Sequence, residues 1–130
     1  MARPQGGTRK VLALVAHDGK KADMVAYALE HQQILAVFDL MGTGTTAKLI
    51  EDKTDLKVAP LLSGPMGGDA QIAARVAEGT CDAVIFLRDP LDKHPHDPDI
   101  SMLMRVCDVH NVPLATNLAT ADLVITGMVV

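Results

Sequence analysis

The run Val-Leu-Ala-Leu-Val-Ala at residues 11–16 decides the fold class of this chain. It is apolar at every position, which is typical of a strand that is covered on both faces in a parallel sheet. A strand with one face in water would alternate apolar and polar residues instead. Four more apolar runs predict strands at residues 35–40, 58–62, 83–87 and 112–115. The chain therefore has the strands of a mainly parallel, five-stranded sheet.

Amphipathic helices are predicted between these strands. Asp18 is the expected N-cap of the first helix. Its inward face would comprise Ala22, Val25, Ala26 and Leu29. Further helices are predicted at residues 45–52, 69–78 (with Ile72, Ala73 and Val76 inward), around 100–107, and 120–125 with Thr120 as cap. Strands that alternate with helices of about ten residues predict a three-layer α/β/α architecture.

The composition fits one globular domain and limits its partners. The 130 residues are 48% hydrophobic and 22% charged, which fits a single domain over residues 10–130. Residues 1–9 contain basic residues but no apolar stretch, so we expect a flexible start there and not a signal peptide. The net charge of −4 and the 2% aromatic content argue against a nucleic-acid partner. No apolar run reaches about 18 residues, so no membrane partner is expected. Cys81 and Cys107 form no CxxC pair and are expected in the core, which favours a reducing compartment, the cytoplasm.

The chemically distinctive residues follow the predicted strands. These loops are His17-Asp18, GTGTT at 42–46, SGPMGGD at 63–69 and DPLDKHPHDPD at 89–99. Because parallel strands end at one edge of their sheet, we expect the loops to meet there, where open α/β sheets bind ligands.

The GTGTT loop is a candidate anion site. Glycines allow close approach of the backbone, and the first N–H groups of the following helix lack partners. An ordinary turn with a threonine cap is the alternative. The stretch also matches the loose dinucleotide fingerprint GxGxxA, but no acidic residue ends the next strand to hold a ribose. Lys20 and Lys21 open a helix against the dipole preference, so either one of them meets an anion or both are surface lysines.

The other two loops contain acids and histidines. Three glycines and a proline restrict the backbone before Asp69, which is either a helix cap or a base held above the anion site. Ser63 lacks the GxSxG flanks of a nucleophile. The fourth loop contains His94, His96, Asp97 and Asp99, which form one candidate group together with His17 and Asp18. They suit proton transfer, metal binding or a plain polar loop in which Asp99 caps a helix, but recurrent zinc spacings are absent and no metal is predicted.

Taken together, these motifs resemble the methylglyoxal synthase family over about residues 10–125. The matching segments are LVAHD at 14–18, GTT at 44–46, LSGPMGGD at 62–69 with Gln71, DPL at 89–91, PHDPD at 95–99, ATN at 115–117 and ATAD at 119–122. The resemblance implies a cofactor-free lyase that converts dihydroxyacetone phosphate to methylglyoxal and inorganic phosphate. It also implies a three-layer α/β/α domain that assembles as a homohexamer.

The resemblance also implies a role for individual residues. Asp69 corresponds to the catalytic base and His96 to the histidine that contacts the substrate oxygens and moves a proton. Asp18 and Asp99 correspond to supporting carboxylates. The substrate and phosphate contacts would be His17, Lys21, Thr43, Gly44, Thr45, Thr46, Ser63 and Gly64. Two alternatives stay open: a non-catalytic domain like the regulatory domain of carbamoyl-phosphate synthetase, and a metal-dependent hydrolase that uses the His and Asp loops.

Overall fold

Five parallel strands form one central sheet in the computed structural model, which describes residues 9–92 and 97–129, the side chain of residue 97 excepted. The strands are β1 (Val11–Ala16), β2 (Asp39–Thr43), β3 (Val58–Leu61), β4 (Ala83–Leu87) and β5 (Leu114–Ala115). The helices are α1 (Lys21–Glu30), α2 (Gln32–Leu35), α3 (Gly44–Lys53), α4 (Gly68–Glu78), α5 (Asp97–Val109) and α6 (Leu118–Met128). Short 3₁₀ turns cover Asp18–Lys20 and Gly64–Met66.

The strand order β3-β2-β1-β4-β5 makes this an open, doubly wound sheet. The chain runs outward from β1 to β3 and then returns to place β4 on the other side of β1. The strand order therefore reverses between β1 and β4. In such sheets the crevice beyond the carboxyl ends of these two strands is the usual ligand site.

Helices cover both faces of the sheet, which confirms the predicted three layers. Leu12 and Leu14 of β1 belong to a core with α1, α3 and α6, whereas Ala13 and Val15 belong to a second core with α4 and α5. Successive side chains of a strand point to opposite faces, so only an uninterrupted apolar run suits both cores. None of the helices in the described part of the chain is long and apolar enough to cross a membrane.

Both cysteines are core residues, as predicted. Cys81 and Cys107 are free thiols, 2% and 0% exposed, in the core beneath α4 and α5. Burial raises the pKa of Cys81 to about 12 and that of Cys107 to about 11, because the apolar core disfavours the thiolate. They therefore serve as small hydrophobic side chains.

The prediction of a second strand at residues 35–40 is wrong by about four positions. Residues 32–35 form helix α2, whose Leu35 is fully buried, and the strand begins only at Asp39. Two turn-type bonds, from the N–H groups of Val37 and Phe38 back to Ile34 and Leu35, separate helix from strand. A short apolar run fits a buried helix end as well as a strand, so periodicity alone cannot place this boundary.

The predicted inward face of the first helix is also wrong. Met24, Tyr27 and Ala28 are buried, whereas Leu29 is 47% exposed. Apolar residues occur around this whole helix, and packing selects the face whose larger side chains, Met24 and Tyr27, remove more apolar surface from water. The face predicted for α4, in contrast, is confirmed, since Ile72, Ala73 and Val76 are buried.

The helix ends differ from prediction in detail. Asp18 starts a separate 3₁₀ turn and does not cap α1, which begins at Lys21. Asn117 caps α6 by accepting a hydrogen bond from the N–H of Thr120 (2.9 Å), the residue predicted as the cap. The flexible start predicted for residues 1–9 lies outside the described residues except for Arg9. Its guanidinium donates to the carbonyl oxygens of Ala36 and Phe38, both at 2.7 Å.

Candidate active site

A cleft of about 380 Å³ opens beyond the carboxyl ends of β1, β2 and β4, at the strand-order reversal. It brings together most of the predicted site residues, namely His17, Asp18, Lys21, Thr43, Thr45, Ser63, Gly64 and Asp69. Val15, Ala16, Pro65, Phe86 and Asp92 complete its lining. A larger cavity of about 750 Å³ lies near the amino ends of β2 and β3 and contains no predicted site residue. The smaller cleft is therefore the candidate site.

Asp69 lies at the floor of this cleft. It is the second residue of α4 and is 0% exposed. Gly67, not Asp69, occupies the N-cap position of that helix, so the reading of Asp69 as a helix cap is wrong. The partial positive charge of the α4 N-terminus favours a carboxylate at this position. Its place in the cleft makes Asp69 a candidate general base.

The loop before Asp69 has a backbone path that few other residues could follow. Gly67 has φ of 105°, in the left-handed region that glycine tolerates best. A Cβ on Gly68 would overlap the carbonyl oxygen of Leu62 and come within 2.8 Å of Thr43 Cγ2. The carbonyl oxygen of Ser63 accepts the N–H groups of Met66 (3.0 Å) and Gly68 (2.9 Å). This loop therefore holds the α4 N-terminus close against the ends of β2 and β3.

His17 is fixed by contacts from β4. The ring is 5% exposed and packs edge-on against Phe86, with ring centroids 5.0 Å apart. Its main-chain N–H donates to Leu87 O (3.1 Å), and its Nδ1 accepts the main-chain N–H of Asp89 (2.9 Å). A neutral imidazole that accepts at Nδ1 carries its proton on Nε2. The ring can therefore donate a hydrogen bond through Nε2.

Lys21 supplies the positive charge of the cleft. Its Nζ donates to Ala16 O (3.1 Å) and to the Asp18 carboxylate (2.7 Å), and its side chain is only 19% exposed. The Asp18 side chain is 98% exposed, and its carboxylate accepts this hydrogen bond at the surface of the cleft. Lys20 instead faces Asp23 at 3.9 Å and does not line the cleft. Of the two lysines singled out by sequence, Lys21 is the one placed to meet an anion.

The GTGTT segment is half strand and half helix. Thr43 ends β2 and is the N-cap residue of α3, which starts at Gly44. Thr45 is exposed and lines the cleft, whereas Gly44 and Thr46 belong to the same turn but do not line it. Thr46 is 1% exposed, and its Oγ1 has no hydrogen-bond partner within the described part of the chain. The first turn of α3 thus forms one wall of the cleft.

The remaining predicted residues are not in the described cleft. His94 and His96 lie outside the described residues, so the prediction for His96 stays a prediction. Asp99 is in the first turn of α5 and does not line the cleft. Across residues 9–92 and 97–129, no three His, Cys, Asp or Glu side chains are grouped as metal ligands would be.

Sequence reasoning missed three contributors to the site. Phe86 packs against the His17 ring, Asp92 lines the cleft, and the main-chain N–H of Asp89 donates a hydrogen bond to His17. Asp89 and Asp92 belong to a loop that the sequence had marked as chemically rich. No sequence signal distinguished Phe86 from the other apolar residues of its strand.

Comparison with known proteins gives consistent matches. A family model described as MGS-like domain matches residues 23–116. Methylglyoxal synthase of Ralstonia nicotianae is 57% identical over 120 residues, which are 92% of this chain and 89% of the relative. That of Thermus thermophilus is 58% identical over 116 residues, 89% and 92% of the two chains. The crystal structure of methylglyoxal synthase from Elizabethkingia anophelis matches with a TM-score of 0.85 and 44% identity, over 90% of this chain and 77% of that one.

Proposed function

Because the chain belongs to the methylglyoxal synthase family, we propose that it converts dihydroxyacetone phosphate to methylglyoxal and inorganic phosphate. The observation that carries this proposal is the fully buried carboxyl group of Asp69 in the same cleft as the ammonium group of Lys21. A buried carboxyl group and a cation in one cleft suit a short substrate with one anionic end.

The reaction begins with proton removal. In the proposed mechanism Asp69 takes a proton from the carbon that bears the hydroxyl group, which lies α to the carbonyl, and an enediolate forms. Hydrogen-bond donors stabilise the charge that develops on its oxygen. We propose that His17 donates through Nε2, since its Nδ1 accepts the N–H of Asp89. The family resemblance assigns His96 a contact with the substrate oxygens and a proton transfer. Positioned base catalysis contributes about 10²- to 10⁴-fold to the rate, so orientation and electrostatics supply the remainder.

Expulsion of phosphate follows. The hydroxyl proton is lost to a base or to water, and the oxygen forms a C=O bond with its carbon. The electrons of the enediolate double bond shift to form a double bond to the carbon that bears phosphate, and phosphate leaves with the electrons of the C–O bond. The resulting enol takes up a proton on its terminal carbon and becomes methylglyoxal. Expulsion requires this C–O bond to be aligned with the π orbitals of the enediolate, whereas an isomerase keeps it out of alignment and protonates carbon. The grip on phosphate therefore selects the product.

The phosphate grip is proposed to come from two elements. The α3 turn offers main-chain N–H groups and a helix dipole, and Lys21 offers a full charge. Thr46 Oγ1 is buried and has no hydrogen-bond partner among residues 9–92 and 97–129. Such an unsatisfied hydroxyl costs about 1–3 kcal/mol, a cost that a ligand bound at this turn would remove. The full proposed set is Lys21, Thr43, Gly44, Thr45, Thr46, Ser63 and Gly64, with His17 at the carbonyl end and Asp18 and Asp99 as supporting carboxylates.

We also propose that the enzyme works in the cytoplasm as a homohexamer. The two buried free thiols suit a reducing compartment. The hexamer follows from the family resemblance alone.

The direct test is an assay of the purified full-length chain with dihydroxyacetone phosphate. Methylglyoxal and free phosphate are expected to appear in equal amounts. Phosphate release without methylglyoxal would indicate a phosphatase. The absence of any turnover would indicate a non-catalytic binding domain of the same fold. Either result would refute the proposal.

The mechanism assigns no step to a metal ion. We therefore expect incubation with EDTA followed by desalting to leave kcat unchanged in the same assay. A rate that falls after chelation and returns with added zinc or magnesium would instead support the metal-dependent reading of the His and Asp loops.

Replacing Lys21 by Ala is expected to weaken inorganic phosphate binding about 10- to 100-fold, the worth of one charge-assisted contact. Isothermal titration with phosphate measures this directly. Lys20→Ala is the matched control, because it removes the neighbouring charge outside the cleft and should leave phosphate affinity near the native value. If the two variants bound phosphate with equal affinity, Lys21 would not be part of the phosphate site.

A further inference from the structure

We propose that Gln71 is a positioning residue that sets the distance between Asp69 and the phosphate-binding turn of α3. This inference rests on the proposed function. Gln71 lies in the first turns of α4, two residues after Asp69, and its side chain does not line the cleft. Its role would therefore be exerted through another residue.

That residue is Leu62, which immediately follows β3. Gln71 Oε1 accepts the main-chain N–H of Leu62 at 2.8 Å. The Leu62 side chain is 51% exposed, so apolar packing does little to hold this position. The hydrogen bond from the main-chain N–H of Leu62 to the Gln71 side chain therefore joins this position to the helix that carries the base.

The carbonyl group of Leu62 lies against the first residue of α3 and the first residue of α4. Its oxygen accepts the N–H of Gly44, the first residue of α3, at 3.3 Å. The same oxygen lies so close to Gly68 that a side chain there would overlap it. Leu62 is thus the junction between the turn proposed to bind phosphate and the N-terminus that carries Asp69.

The Gln71 side chain connects α4 to this junction through its hydrogen bond to Leu62. The chain leaves Leu62, runs through the 3₁₀ turn Gly64–Met66 and enters α4, and the Gln71 side chain ties α4 back to the point where the loop began. Loss of this tie would let the loop and the α4 N-terminus shift relative to Gly44. A displacement of about 1 Å between reacting groups can cost about 100-fold in rate.

Three variants test this role. Gln71→Met keeps the length of the side chain and removes the acceptor, whereas Gln71→Glu keeps an acceptor oxygen. Gln32→Met is the matched control, since Gln32 Oε1 likewise accepts a main-chain N–H, that of Asp55 at 2.7 Å, far from the cleft. For each variant we would measure kcat, phosphate affinity and the exchange rate of the Leu62 amide hydrogen.

Gln71→Met is expected to lower kcat about 10- to 100-fold and to speed exchange of the Leu62 amide. Phosphate affinity should fall much less than kcat, because Lys21 and the α3 turn are unchanged and only the loop that carries Ser63 and Gly64 shifts. Gln71→Glu should restore amide protection and most of kcat, and Gln32→Met should keep native kcat.

Three results would refute the role of Gln71. These are a native kcat in Gln71→Met despite faster Leu62 exchange, a Gln71→Glu variant with a protected amide that is as slow as Gln71→Met, and an equal loss of kcat in Gln32→Met. An inactive native chain would refute the proposed function instead, so the two failures are distinguishable.

Discussion

Asp69→Asn is expected to reduce kcat for methylglyoxal formation by about 10²- to 10⁴-fold, the usual contribution of a positioned general base. Asn has nearly the same shape as Asp but cannot take up the proton. Because the residue is fully buried at the α4 N-terminus, an isosteric change preserves the cleft. Affinity for inorganic phosphate, measured by titration calorimetry, should therefore stay near the native value while turnover is lost.

Asp52→Asn is the control for this experiment. Asp52 pairs with Lys48 at 3.3 Å on the surface of α3, and the substitution should leave kcat unchanged. An Asp69→Asn variant that retained most of the native turnover would show that Asp69 is not the base. If phosphate affinity and thermal stability fell together with turnover, the residue would be structural.

Gly68→Ala is expected to have the second largest effect, on both stability and turnover. The added Cβ would overlap the carbonyl oxygen of Leu62, which is main chain and cannot simply rotate away. The N-terminus of α4 must then move, at a cost of about 1–3 kcal/mol for overpacking. Since Asp69 moves with it, kcat should fall about 100-fold. Thermal denaturation and the steady-state assay measure the two effects.

Gly127→Ala is the matched control, because Gly127 is also helical but has open space where its Cβ would lie. It should stabilise the protein by about 0.5–1 kcal/mol through helix propensity and leave kcat unchanged. Two variants with similar melting temperatures and similar kcat would show that the α4 N-terminus tolerates displacement. The close contact at Gly68 would then have no bearing on the reaction.

The prediction was correct for elements whose sequence pattern fits only one kind of secondary structure. The runs at 11–16 and 83–87 are strands with those limits, and the face of α4 was assigned correctly. Apart from the helix caps, the main errors lie in segments with two interpretations. The apolar run before Asp39 suited a helix end or a strand, and α1 has apolar residues on more than one face. The local sequence pattern in these segments does not favour one alternative over the other. Packing against the sheet decides between them.

The candidate site shows a similar division. Sequence located the polar loops and proposed that they meet, and the cleft contains most of the residues it named. Residue types alone could not choose between Lys20 and Lys21, because neighbouring positions differ only in the direction of their side chains. The family resemblance was what pointed to Lys21. The sequence also could not identify the N–H of Asp89 as the donor to His17, since main-chain groups are the same in every residue.

The order of apolar and polar segments was therefore enough to determine the layers, the parallel sheet and the edge at which the loops meet. Those properties follow from which residues leave water, and that depends on side-chain type and spacing along the chain. Tertiary structure alone decided which carboxyl group is buried, which lysine faces the cleft and which ring nitrogen of His17 is held. These depend on distances of a few ångströms between residues far apart in the chain, which the strand order β3-β2-β1-β4-β5 brings together.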